Sequence, residues 1–330
     1  MAAPRSLVVV ADDYGIGPLT SRTLLGLGSE CRISASVLLV NSPHAAESVR
    51  EWRRAGGPRC LELGWHVCLT MDRPVLPARD VPSLVDAQGV FLTLGRLLAR
   101  LTAGRIVLSE VRAELKAQHE RFCQLTGQFP LVVNGHHHVH VFPGIAAVLL
   151  DLLAGQRPLP YVRRVWESMP MLRAVPRART KRLFLSTLGR RCLPMLKRLG
   201  FPGNNSLVGV TDAHGLAHLE GDEGAKQFAR WLTAAPGAVV ELMCHPGRSD
   251  PALTRGDGAP SLPRLLARWL PGLKVACEQE SRERERQLLQ NGTIETIALA
   301  AGLTLLKIRE ATAATPGTCF PGTSEDQRAA

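Results

Sequence analysis

Short apolar runs rich in β-branched residues alternate along the chain with longer segments of helical period. Leu7-Val8-Val9-Val10 predicts a buried strand, and a helical stretch follows from about Thr20 to Ser29. Ala35 to Val40 predicts a second strand, closed by Asn41-Ser42-Pro43. Ala45 to Arg54 predicts a helix closed by Gly56-Gly57, and Cys60 to Val67 a third strand. Residues 71–92 are Pro-rich and loop-like, 93–126 divide into two helices, and Leu131 to Val133 is a fourth strand. A helix over Gly144 to Leu153 and strands at Tyr161 to Val165, Ser206 to Val210 and Ala238 to Met243 follow. Helices over Glu278 to Gln290 and Ile294 to Ala301, then a strand at Leu303 to Ile308, complete the pattern. Strand, helix, strand, helix implies parallel pairing through crossover helices, so the class is α/β. An open doubly wound sheet and a (β/α) barrel both fit. No GxGxxG follows the first strand, which disfavours a dinucleotide fold.

The chain has 330 residues, 45% of them apolar, enough to bury a large core. The apolar run from Leu7 to Ala11 is too short for a signal segment and stops at Asp12. No later stretch approaches the ~20 apolar residues of a membrane span, so the expectation is a cytoplasmic protein. Eight scattered cysteines without a CxxC pair read as free thiols. The tail from about Ala311, rich in Thr, Pro, Gly and Ala, is expected to be disordered.

The net charge of +11 raises nucleic acid or an anionic membrane as partners. No helix-turn-helix, RNP or zinc-finger pattern is present, and two tyrosines offer little base stacking, so nucleic-acid binding is not expected. One segment, near 172–199, stands apart. Nine Lys and Arg between Arg173 and Arg198 are interleaved with Leu172, Leu183, Phe184, Leu185, Leu188, Leu193, Met195 and Leu196. It reads either as a basic amphipathic patch for a peripheral membrane contact or as an insertion packed on the barrel. Pro176, Gly189 and Pro194 should break any long helix, which favours the packed insertion.

Candidate chemistry sits at strand ends. Asp12 and Asp13 follow the first strand directly; two acids there need pairing, hydrogen bonds or a metal, unless they form a solvated turn. His66 lies at the end of the third strand, where a lone histidine is more often structural. His136, His137, His138 and His140 crowd just past the fourth strand, a density that packing does not explain. His245 ends a later strand, before Pro246. In a barrel all these ends share one face. An Asp and two His with open positions suit a divalent metal; a second carboxylate can then act as base and a further His as acid. Asp12, Asp13, His66, His136 and His245 supply every part.

The stretches Val10 to Gly15, Ser36 to Asn41, Gly64 to Thr70, Gly135 to Pro143 and Glu241 to Gly247 resemble, in order, the YdjC-like carbohydrate deacetylases, the ChbG/HpnK group. The resemblance implies an irregular, TIM-barrel-like (β/α) fold in a single domain over 1–310, and hydrolysis of the acetamide of an N-acetylated sugar or glycolipid. It implies a divalent metal on Asp13, His66 and His136, Mg2+ first, with Zn2+ or another transition metal also suited to the donors. Asp12 would accept the proton, His245 is the candidate acid, and a homodimer is compatible with the family. Asn134 stands where many members carry Asp, so the orientation of a neighbouring His is in question. Two rival readings are a metal phosphoesterase on a similar barrel, which would need further ligands, and a non-catalytic sugar-binding relative.

Overall fold

The computed structural model describes residues 5–210, 216, 219, 221–248 and 271–313. Among the described residues there are eight strands: β1 (Arg5–Tyr14), β2 (Ala35–Leu38), β3 (Glu62–Val67), β4 (Val132–Gly135), β5 (Tyr161–Val162), β6 (Ser206–Val208), β7 (Val239–Cys244) and β8 (Leu303–Leu305). They form one sheet in the order β5-β4-β3-β2-β1-β7-β6, with β8 also on β1. The ladders are all parallel. Helices cross between successive strands, as parallel pairing demands.

The sheet curls on itself. Along β1, Leu7, Val9 and Ala11 pack outward with the helices, whereas Val8 and Val10 join Ala35, Val37, Val132, Tyr161 and Val239 in an inner cluster. Ile308 and Ala311, from the helix Ile308–Ala313, plug the lower end of that cluster. Between β5 and β6 no ladder forms among the described residues, and the ring is closed by isolated bonds such as Val162 N–H to Pro202 O (2.8 Å), Leu207 N–H to Trp166 O (3.1 Å) and Asn204 Nδ2 to Arg164 O (2.8 Å). The result is an irregular (β/α) barrel. Gly64 is needed for closure, because a Cβ there would lie 2.2 Å from the Val132 carbonyl oxygen on the neighbouring strand.

Two expectations need correction. The basic segment is not broken: Arg179–Arg198 is one continuous helix with Pro194 inside it. Pro194 is exposed, on the side of the helix away from the barrel. Gly189 is not a breaker but a point of close approach, since a Cβ there would meet the Val165 carbonyl oxygen at 1.8 Å. Pro176 lies before this helix, in the turn after Met169–Ala174. The boundary of a disordered tail at 311 also falls inside a helix, where Ala311 and Thr312 are buried. Residues 314–330 lie outside the described residues. Six cysteines are free thiols; Cys277 and Cys319 are not among the described side chains. Among the described residues no helix is long and apolar enough to cross a membrane.

Candidate active site

Strand alternation builds the site. After Val8 and Val10, the next inward position on β1 is Asp12. The same step of two leads to His66 on β3, Asn134 on β4, Arg163 just past β5 and Glu241 on β7. All five are buried. Asp12 and Asn134 belong to strands separated by two others, yet Asn134 Nδ2 donates to Asp12 Oδ1 at 2.9 Å across the barrel interior. Only a curled sheet brings them within reach.

Adjacent residues of a regular strand face opposite sides, so Asp13 would turn away from Asp12. Two features prevent this. Ala11 pairs with Ser36 but Tyr14 with Leu38, so three steps on β1 oppose two on β2 and form a bulge. Within it Asp13 adopts the left-handed conformation at φ 69°. His137 and His138 do the same at φ 52° and 58°. Backbone strain in non-glycine residues thus collects around the site, at ~1–3 kcal/mol each.

Asp13, His66 and His136 each present a donor atom, all within 4.8 Å of one another. Asp13 Oδ1 lies 3.4 Å from both His66 Nε2 and His136 Nδ1. It is buried and accepts no well-formed hydrogen bond. The tautomer of His66 follows from its neighbours. A carboxylate only accepts, so Asn134 turns its amide nitrogen to Asp12 and its carbonyl oxygen to His66. His66 Nδ1 therefore carries the hydrogen, donated to Asn134 Oδ1 at 2.5 Å. Its other ring nitrogen, Nε2, faces Asp13 Oδ1, and together with His136 Nδ1 these atoms form a buried imidazole-carboxylate-imidazole donor set of the kind a divalent metal accepts. Asn134 thus fixes the orientation of the His66 ring through hydrogen bonds on both sides of its amide.

Asp12 is held differently. Arg163 grips it in a two-pronged ion pair, Nη1 to Oδ2 at 2.7 Å and Nη2 to Oδ1 at 2.8 Å. The same guanidinium donates through Nε to Glu241 Oε1 at 2.5 Å, and Tyr161 Oη donates to Glu241 Oε2 at 2.9 Å. Burial pushes the Asp12 carboxyl up, but the charge of Arg163 outweighs it and holds the group below its ordinary value. Asp13 is held well below that value, burial being outweighed by Arg282 and the two histidines. Arg282 Nη2 donates to Asp13 Oδ2 at 2.5 Å.

His245 Nε2 lies 3.9 Å from Asp12 Oδ2, and its side chain is 36% exposed. Burial of the ring beneath the mouth pulls its pKa down to about 4, against the pull of Asp13 and Asp12, so it is neutral at pH 7. Glu285 seats this residue, accepting His245 N–H at 2.5 Å and Leu216 N–H at 2.7 Å. Burial pushes Glu285 up to about 7. The remaining histidines divide. His140 Nε2 donates to the Arg163 carbonyl (3.2 Å) and anchors the turn, whereas His137 Nδ1 meets Thr70 Oγ1 at 3.0 Å with its ring against His136.

All five sequence-derived candidates therefore meet in one place. Arg163, Arg282 and Glu285 were not anticipated. A charged residue inside the apolar stretch Tyr161 to Val165 was a readable sign for Arg163. Arg282 and Glu285 sit in a charge-rich helix, where nothing local separates them from solvent-facing neighbours.

The YdjC-like protein family model matches residues 6–298. A mouse (Mus musculus) carbohydrate deacetylase is 35% identical over 272 residues, covering 78% of this chain and 84% of the mouse protein. A chitooligosaccharide deacetylase of Yersinia enterocolitica is 30% identical over 278 residues, 83% and 94% of the two chains. A solved Enterococcus faecalis V583 structure, described in connection with cellobiose-phosphate cleavage, superposes with a TM-score of 0.69 at 21% identity. It covers 93% of this chain and 99% of its own, a likeness of fold. Matched along nearly its whole length and retaining the Asp-Asp, His and His-His-His elements at the ends of β1, β3 and β4, the chain belongs to the YdjC-like family.

Proposed function

We propose that this protein is a carbohydrate N-deacetylase, which hydrolyses the acetamide of an N-acetylated sugar with the help of a divalent metal. The observation that carries the proposal is the convergence of Asp13, His66 and His136 beside an ionised, separately held Asp12. The names of the mouse and Yersinia relatives agree with that chemistry.

Asp13, His66 and His136 would hold the metal; when bound, it polarises the acetyl carbonyl and acidifies water. Mg2+ is the expectation from the family, and two imidazoles with one carboxylate also suit Zn2+ or another transition metal. Asp12 takes the proton of the attacking water. Arg163 keeps it ionised beforehand and fixes both oxygens in direction. His245, neutral at rest, is not a charged acid in waiting. Its Nε2 lies 3.9 Å from Asp12 Oδ2, a gap one bridging water spans, and through it the accepted proton would pass to His245 and on to the leaving amine nitrogen. The products are acetate and the free amino sugar.

Among the described residues there is one three-ligand cluster, which disfavours a phosphoesterase built on two or three metals. Acetate release from a panel of N-acetylated sugars, using metal-stripped protein with Mg2+, Zn2+, Mn2+ or Co2+ added back, tests the reading. Asp12→Asn is expected to lower kcat about 10²–10⁴-fold while metal content is retained. Phosphate release from phosphoesters, or tight sugar binding without turnover under every metal, would replace the proposal.

A further inference from the structure

We propose that the outer face of the helix Arg179–Arg198 is a docking surface for an anionic lipid bilayer. The charge of the protein is concentrated there. Nine of the 40 Lys and Arg lie between Arg173 and Arg198, along with none of the 29 Asp and Glu. The remainder of the chain carries 31 bases against 29 acids and is nearly neutral. One of the nine, Arg182, is buried against Glu167 and stacks on Trp231 at 4.7 Å, which fastens the helix to the barrel. The inward face is completed by Leu185, Leu188, Gly189, Cys192 and Leu196.

The outward face combines cations with apolar surface. Leu183 and Phe184 are 52% and 50% exposed, and Met169, on the short helix Met169–Ala174 before it, is 54% exposed. Arg190, Arg191, Lys197 and Arg198 follow on the same exposed side. Adjacent exposed Leu and Phe gain nothing against a phosphodiester backbone or a polyanionic sugar. They gain free energy on entering the acyl boundary of a bilayer, while the arginines meet its anionic headgroups. That combination selects a membrane over other polyanions. No described helix can span a bilayer, so the contact is peripheral.

The opposite, inward face of the same helix packs against the site. Cys192 Sγ donates to the Val141 carbonyl of the histidine turn at 3.6 Å, and the charge of Lys181 reaches His137 and His138. Binding of this face to vesicles does not depend on the deacetylase reading.

Flotation of the full chain with vesicles of phosphatidylcholine alone, or mixed with phosphatidylglycerol, tests the proposal. The protein should float with the mixed vesicles and not with the neutral ones. Arg190→Glu with Arg191→Glu, and separately Leu183→Asp with Phe184→Asp, should each weaken binding at least about tenfold. All four residues are outside the catalytic machinery. Arg50→Glu with Arg54→Glu, an equal charge change on the helix Ala45–Arg54, should leave binding unchanged. Absence of binding to the mixed vesicles, equal loss in the Arg50/Arg54 variant, or full binding by the Leu183/Phe184 variant would each overturn it. So would a protein that binds duplex DNA through Arg190 and Arg191 and ignores the vesicles.

Discussion

Arginine is used in two opposite ways in this protein. Inside the barrel, Arg163 is fully buried and divides its donors between Asp12 and Glu241. On the surface, Arg190 and Arg191 stand in a segment with no acid at all. A cation taken out of water must be matched donor by donor, because its desolvation is expensive and an unpaired partner more so. A cation left in water needs no match, and a surplus of one sign becomes a long-range field. The interior arginine therefore serves geometry and ionisation of a single carboxylate. The exterior ones act together through their sum.

The sharpest way to break this comparison is to remove one arginine from each region. Arg163→Met leaves Asp12 and Glu241 buried without their counter-charge and should destabilise the fold by about 3–5 kcal/mol. Arg190→Met should change stability by less than about 0.5 kcal/mol. Urea denaturation of the two variants checks both, and equal effects would dissolve the distinction. Gly189→Ala tests the seam between the regions. Its Cβ would collide with the Val165 carbonyl, two residues from Arg163, so about 1–3 kcal/mol should be lost and the helix displaced. Thermal melting together with vesicle flotation would register both consequences.

An effect of similar size, confined to a pH window, is expected at Glu285, a buried acid whose pKa is raised to about 7. The folded state then binds this proton more tightly than the unfolded one. The group's contribution is fully present below its ordinary pKa of 4.5 and lost as pH rises through about 7. Glu285→Gln should flatten the fall in stability over that window by about 1–3 kcal/mol, as read from denaturation at a series of pH values. The smallest effect is expected at Asn134. Asn134→Asp puts a second carboxylate 2.9 Å from Asp12 and should raise the pKa of that base. The acid limb of kcat/KM should move to higher pH, with activity at neutrality little changed; an unmoved limb would show that Asp12 is not the group titrating there.

Much of the fold was readable because the strands are short β-branched runs whose two faces are both buried. β1 to β4 and β7 were located within a few residues. The misreading of Arg179–Arg198 has a physical source. Pro and Gly weaken a helix by amounts that tertiary packing overrides, and Gly189 is there for the neighbouring carbonyl rather than for the helix. At the site, the clustering of histidines and the paired acids were legible as chemistry, since such residues are costly to bury without a purpose.

By itself the sequence determined the α/β alternation, the strand-end placement of Asp12, Asp13, His66, His136 and His245, and the concentration of positive charge in one segment. These depend on order and spacing along the chain. Only the tertiary structure decided that Asp13 turns back beside Asp12 through a bulge, that Arg163 serves Asp12 and Glu241 together, and that Asn134 sets the tautomer of His66. It also decided that one unbroken helix presents Leu183 and Phe184 outward among its cations. Each of these depends on groups from different strands and helices meeting across a curled sheet, and no local pattern encodes the distance between them.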